Sequence, residues 1–225
     1  KILKKKIERE LNKINIEDIN IVTAEDPIEY KLKGINQVNC KSEIGYDFAA
    51  ALRSFLRQDP DVIMVGEIRD SETAEIAVKA SLTGHLVLST IHTNDAPSTI
   101  QRLINMGIEP FLLASSVILI QAQRLGRRVC QKCKVEDTDK EKIIHLLNID
   151  KELYKETKFY KGRGCEACNG TGYKGRVGFY ELMFIDDELR DLISEGKNTE
   201  LIRAAAKKGG MKTLREQAML KACQG

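Results

Sequence analysis

Two short apolar runs, Val62–Val65 and Leu86–Leu88, have the length and β-branching of buried strands. Between them, Ser71–Ser81 carries Ala74, Ile76, Ala77, Val78 and Ala80 as an apolar set, with Glu72, Glu75 and Lys79 directed outward, the pattern of an amphipathic helix. Strand, helix and strand within roughly 30 residues predict a βαβ unit, and therefore a parallel sheet covered on both faces. Ligands of such sheets bind outside the carboxyl ends of the strands. Glu67 closes the first strand and His92 follows the second, so the chemistry is expected there.

The same reading extends in both directions. Ile19–Ala24 predicts a strand that runs into Glu25-Asp26-Pro27-Ile28-Glu29, where Pro27 stops regular structure and three carboxylates gather on a turn. Ile35–Val38 is a short strand. Asp47–Gln58 is a helix with Asp47 near its N-cap, and Arg53 and Arg57, four residues apart, share one face. They are either an exposed pair or a phosphate-facing pair, since guanidinium forks match phosphate geometry. His85 and His92 flank HLVLSTI and would lie roughly 23 Å apart along a straight strand, so one phosphate cannot meet both without a bend. His85, at the far end, is open to a structural or subunit-contact role. Asp95 caps and Pro97 opens a helix over Ala96–Met106, and a second helix is expected over Pro110–Gln123. Arg176–Ile185 reads as a strand. Short helices follow at Asp187–Ser194, Thr199–Lys207 and Thr213–Ala222, with Asp187 and Thr199 as N-caps. The basic run Lys1–Lys13 spaces Ile2, Leu3, Ile7 and Leu11 as a solvated helix would.

At 225 residues and 25.3 kDa, the chain has room for one large domain, or for one domain and a small lobe. A net charge of +3 does not argue for nucleic acid, and no direct nucleic-acid partner is expected. No apolar run approaches the roughly 18 residues of a membrane helix, and no signal peptide is visible. The chain is therefore read as cytoplasmic. Six cysteines include the pairs Cys130/Cys133 and Cys165/Cys168. Two such pairs can complete a tetrahedral tetracysteine zinc site, which with four thiolates keeps no open position and is structural. Glycines 162, 164, 170, 172 and 175 supply the tight turns of such a knuckle. Cys40 and Cys223 are read as small buried or surface residues.

As an ordered set, these motifs resemble the assembly ATPases of type II secretion and type IV pili, from about Asn12 to the end of the chain. TAEDPIEY resembles that family's Asp box, LRSFLRQDPDVIMVGEIRD its Walker B segment, and TGHLVLSTIHTNDA its His box. The tetracysteine segment followed by GYKGRVGFYELM resembles its zinc-bearing part. The resemblance implies an α/β fold: a RecA-like P-loop NTPase core, with a small zinc-bound tetracysteine insertion and C-terminal helices. It divides the chain at 1–126, 127–180 and 181–225. It also implies ATP and Mg2+ as cofactors beside structural Zn2+, a homohexameric ring, and an inner-membrane platform protein of the secretion or pilus machinery as partner, placing the protein peripherally at the inner face of the membrane. By motif position, Glu29 activates the attacking water with Glu25 and Asp26 in support, Glu67 helps place magnesium, and His92 contacts the γ-phosphate. Arg53, Arg57 and Arg69 read phosphates or a neighbouring subunit, and His85 joins the nucleotide-binding set. One departure is large. The family's G-x-x-x-x-G-K-[ST] phosphate loop occurs nowhere in these 225 residues, and its position reads KILKKKIEREL. Because that loop cradles the β- and γ-phosphates, this stretch is expected neither to bind ATP tightly nor to turn it over alone. It then acts as a fragment, or as a zinc-stabilised interaction module for a ring neighbour or the platform protein.

Overall fold

The structure is a computed structural model that describes residues 2–147 and 157–224, with side chains omitted at 2–6, 140, 143, 146 and 147. Lys1, at the head of the basic run, lies outside the described residues. In chain order the elements are α1 (Ile2–Ile14), β1 (Ile21–Glu25), β2 (Asn36–Asn39), α2 (Phe48–Phe55), β3 (Val62–Val65), α3 (Ser71–Leu82), β4 (Leu86–Ser89), α4 (Pro97–Asn105), α5 (Pro110–Ser116), β5 (Leu119–Val129), β6 (Lys134–Glu136), α6 (Lys140–Leu147), β7 (Tyr160–Gly162), β8 (Tyr173–Phe184), α7 (Asp187–Ser194), α8 (Thr199–Lys208) and α9 (Leu214–Gln224). They form two units: Lys1–Ile120 with Met183–Gly209, and Gln121–Leu182 with Gly210–Gly225.

The first unit is built on a parallel sheet of order β2-β1-β3-β4. Side-chain alternation along the strands explains its two cores. Val22 and Ala24 of β1 and Ile63 and Val65 of β3 face Phe48, Leu52 and Phe55 of α2 and Ala77 and Ala80 of α3. Ile21, Val62 and Met64 face the other way and pack with Leu11 of α1 and with Ile35. All four β3 residues are buried, as a strand covered on both faces must be. Helices start where short polar side chains accept from free N–H groups: Asp47 from Ala50, Asp70 from Thr73, Asp186 from Leu189 and Asn198 from Leu201. The last two caps lie one residue ahead of the predicted Asp187 and Thr199. α7 packs on α5 and α8, α8 packs on α4, and Arg190 donates to the Ala114 carbonyl at 2.6 Å. Burial pushes the Cys40 thiol up to about 11, with the charges of Asp26 and Asp47 adding to it, so this cysteine is chemically quiet.

The predicted helix Pro110–Gln123 is half right. α5 ends at Ser116, Val117 is extended (φ −84°, ψ 127°), and β5 begins at Leu119. The β-branched residues Val117, Ile118 and Ile120 favour the strand. In the second unit, β5 pairs with β8, and β6 pairs antiparallel with β7 from Lys134↔Gly162 to Glu136↔Tyr160. Glu181, buried in β8, accepts from Leu214 N–H at 3.0 Å at the start of α9. Thr213 and Glu216 close a reciprocal capping box there.

Candidate functional site

Strand register brings the chemistry together. Ala24 lies beside Val65, and Val65 beside Ser89, so Glu25, Gly66 and Thr90 follow at one level on the carboxyl edge. Gly66 N–H donates to the Ala24 carbonyl at 2.8 Å, Thr90 Oγ1 donates to the Gly66 carbonyl at 2.6 Å, and Ile68 N–H donates to the Thr90 carbonyl at 2.9 Å. These bonds hold the chain just before and after Glu67. Glu67, 17% exposed, forms an ion pair with Arg69, and its carboxylate stands 3.2 Å from His92 Nε2. The hydrogen bond from Arg69 holds the Glu67 carboxyl below its ordinary value against the opposing effect of burial, with His92 adding to the lowering. Arg69 is in turn held more firmly protonated, by Glu67 first and also by the charge of Asp26. Asp26, Glu67 and Arg69, with the His92 imidazole beside Glu67, therefore form one polar cluster at the ends of three adjacent strands.

The acids of the first loop separate. Glu25 is fully buried and its Oε1 accepts from Thr23 Oγ1 at 2.9 Å and Gln37 Nε2 at 2.8 Å, whereas Asp26 and Glu29 are exposed. The Asp26–Pro27 peptide is cis. Arg53 pairs with Glu72, on the first turn of α3, and Arg57 is exposed beyond the end of α2. His85 precedes β4, where its Nδ1 lies 2.9 Å from the Ala80 carbonyl and 3.1 Å from Thr83 Oγ1. It finishes α3 at the amino edge of the sheet and is not brought to the cluster. Gln37, Thr23 and Thr90 stand in the site without having been singled out by the sequence, because an uncharged side chain on a strand carries no distinguishing pattern.

A carboxylate held below its ordinary value stabilises the fold fully above the unfolded pKa of about 4 and loses that contribution as pH falls through the lower folded value. Glu67 is such a group, and so is Asp95, where hydrogen bonds from Ser98 and the charge of Arg203 outweigh the upward effect of burial. Thermal melts from pH 6 to pH 3 are expected to show a midpoint that falls only at the acid end. Glu67→Gln is expected to flatten that slope. A slope unchanged in the variant would remove Glu67 from this account.

In the second unit, the sulfurs of Cys130, Cys133, Cys165 and Cys168 all lie within 4.8 Å of one another. The Cys130–Cys165 and Cys133–Cys168 separations are 3.9 Å and the Cys165–Cys168 separation is 3.8 Å. Four sulfurs at about 2.3 Å from a tetrahedral centre stand about 3.8 Å apart, whereas a disulfide needs about 2.05 Å. The cluster therefore has the dimensions of a metal site. Burial opposes ionisation of Cys168, but N–H donation from Cys165 and Gly172, at 3.2 and 3.3 Å, brings its thiol down to about 6. Such donors orient and stabilise a ligating thiolate.

The family model described as type II/IV secretion system protein matches residues 6–225. The chain belongs to that family. Among curated relatives, the type IV pilus assembly ATPase PilB of Thermus thermophilus is 52% identical over 96% of this chain and 24% of its own length. The type II secretion system protein E of Pseudomonas aeruginosa is 49% identical over 96% of this chain and 42% of its own. The chain thus spans between a quarter and about two fifths of these relatives. Among solved structures, the pilus retraction motor PilT with bound ADP superposes with a TM-score of 0.58 at 30% identity, covering 94% of this chain and 55% of that one. The parallel sheet with helices on both faces is the fold of this ATPase family. Among the described residues, no helix is long and apolar enough to cross a membrane.

Proposed function

We propose that this stretch is the catalytic-edge part of an ATPase that drives type IV pilus or type II pseudopilus assembly. The observation that carries the reading is the meeting of Glu67 and His92, at 3.2 Å, on the carboxyl edge of a parallel sheet whose relatives include a motor with bound ADP. Glu67 lies at the carboxyl edge, is 17% exposed, and is held below its ordinary pKa, which fits a carboxylate that would hold magnesium or its water ligands. Magnesium bound there with ATP would supply positive charge to offset the negative charge of the phosphates. His92, with a side chain 93% exposed, is free to meet a γ-phosphate. Glu29 is exposed and takes the proton of the attacking water, while Glu25, anchored to Thr23 and Gln37, and Asp26 keep that loop in place. Arg57 and Arg69 supply forks for phosphate or for the next copy in a homohexamer, and Arg53 joins them on releasing Glu72. His85 serves the nucleotide only indirectly, by closing α3. The four cysteines hold structural zinc, and the platform protein at the inner face of the cytoplasmic membrane is the partner.

The 225-residue chain alone is expected to release no phosphate from ATP and Mg2+ above background. With the phosphate loop supplied ahead of this stretch in one polypeptide, turnover is expected, and Glu67→Gln is expected to lower kcat about a hundredfold with little change in KM. A variant that keeps its kcat would sink the role given to Glu67. A second reading, a non-catalytic zinc-stabilised interaction module, is favoured by the four sulfurs, whose separations of 3.8–3.9 Å suit a closed metal site. It predicts partner binding that survives Glu67→Gln and His92→Ala and is lost when the metal is removed.

A further inference from the structure

His92 has a side chain 93% exposed and stands 3.2 Å from Glu67 at the carboxyl edge of the sheet. Its place therefore depends on the backbone to either side. On the upstream side, Thr90 is tied to β3 through the Gly66 carbonyl and Ile68 N–H. On the downstream side, the chain is tied through Asp95. Asp95 Oδ1 accepts from Ser98 N–H at 2.9 Å and Ser98 Oγ at 2.6 Å, closing the first turn of α4. The hydroxyls of Thr93 and Thr99 are hydrogen-bonded to each other at 2.9 Å, and both lie 3.3 Å from the Asp95 carbonyl, which accepts from the one whose proton is left over. The remaining oxygen, Oδ2, accepts from Arg203 Nη2 at 3.1 Å. Arg203 stands on α8, which packs on α4, and Asp95 and Arg203 are 23% and 26% exposed. A half-buried, charge-assisted bond of this kind is stronger than a surface pair. Glu200, 81% exposed, stands 3.7 Å from Arg203 Nε on the same helix and leaves Nη2 to Asp95.

We propose that Arg203 is a positioning residue: acting through Asp95, it fixes the His92 loop, so that α8 sets where the His92 imidazole stands. The inference rests on the assignment of His92 to the nucleotide edge, and it extends that edge to a helix more than a hundred residues away in sequence. Asp95 keeps its Ser98 bonds when Arg203 is lost, so α4 retains its cap and the loop loosens without general unfolding.

The test uses the 225-residue chain without nucleotide, so it stands or falls separately from the ATPase assignment. In Arg203→Ala and Asp95→Asn, amide hydrogen exchange over residues 92–98 is expected to rise about fivefold, the change a lost half-buried ion pair of about 1 kcal/mol allows. The ring nitrogen signals of His92 in heteronuclear NMR are expected to move while those of His85 do not. The double variant is expected to add nothing to either single one, and Arg203→Lys to restore part of the protection. A lower melting temperature with unchanged His92 signals and unchanged exchange over 92–98 would make Arg203 merely structural and overturn the proposal. So would additive effects in the double variant.

Discussion

Replacing Cys130 and Cys165 with serine is expected to strip zinc from the protein and to unfold the unit that carries the cluster. Each substitution removes a thiolate from a set whose sulfurs already stand 3.8–3.9 Å apart, and a serine hydroxyl does not ionise to take its place. Metal binding by four thiolates contributes directly to folding free energy, on the order of 10 kcal/mol in small zinc modules, more than the whole stability of many domains. Among the described residues between Cys133 and Cys165, Ile144 and Phe159 are the buried apolar ones that can offset the loss. Elemental analysis should find about one zinc per wild-type chain and close to none in the double variant, with a melting transition lowered by more than about 10 °C. Chelator at neutral pH should reproduce the loss in the wild type, and acid should promote it, because protonated thiols do not ligate. Retention of zinc by the double variant would refute the assignment of the four cysteines.

The parts of this fold legible in the sequence are those where local pattern and tertiary environment agree. Val62–Val65 is apolar throughout because both its faces are covered, and the structure returns the same four residues as β3. Asp47 and Asp95 read as caps because a short acid ahead of an apolar helix has one dominant use. Pro110–Gln123 misled because Leu112–Ile120 is apolar at every spacing except for its two serines, so periodicity cannot separate a helix from a strand. The turn into β5 is decided by its pairing with β8, which begins some fifty residues later.

The candidate site follows the same division. Glu67 and His92 could be placed at neighbouring strand ends from strand length alone, because parallel register carries such positions to one edge. The burial of Glu25 could not, since it depends on Thr23 and on Gln37 from the next strand. Arg203 left no trace in the sequence: its partner lies on the far side of the chain order, and an arginine within TELIRAAAKK looks like any solvated helix position.

The glycine-rich knuckle holds the sharpest steric expectation. Gly162 reads in the sequence as a turn residue, yet its backbone does not need a left-handed conformation. Its role is close approach: a Cβ there would stand 2.1 Å from the Gly172 carbonyl oxygen and 2.6 Å from the Gly172 Cα. Alanine in place of glycine usually gains about 0.4–1 kcal/mol by restricting the unfolded chain. Forcing backbone apart by more than an ångström costs about 3 kcal/mol or more, so the steric effect decides the sign. The damage also reaches the metal ligands. The Gly172 carbonyl accepts from Cys130 N–H at 2.9 Å, and Gly172 N–H donates to Cys168 Sγ at 3.3 Å. Gly162→Ala is therefore expected to lower both the melting temperature and the affinity for zinc, read by competition with a chelator. Gly170→Ala is the control. That position has φ +75° with open space around it, so alanine meets left-handed strain of about 1–2 kcal/mol, and the added methyl group touches no ligand while the Gly170 N–H keeps its 3.0 Å bond to the Cys165 carbonyl. If Gly162→Ala bound zinc and melted like the Gly170→Ala control, the close packing of the two glycine segments would not be what holds the cysteines in register.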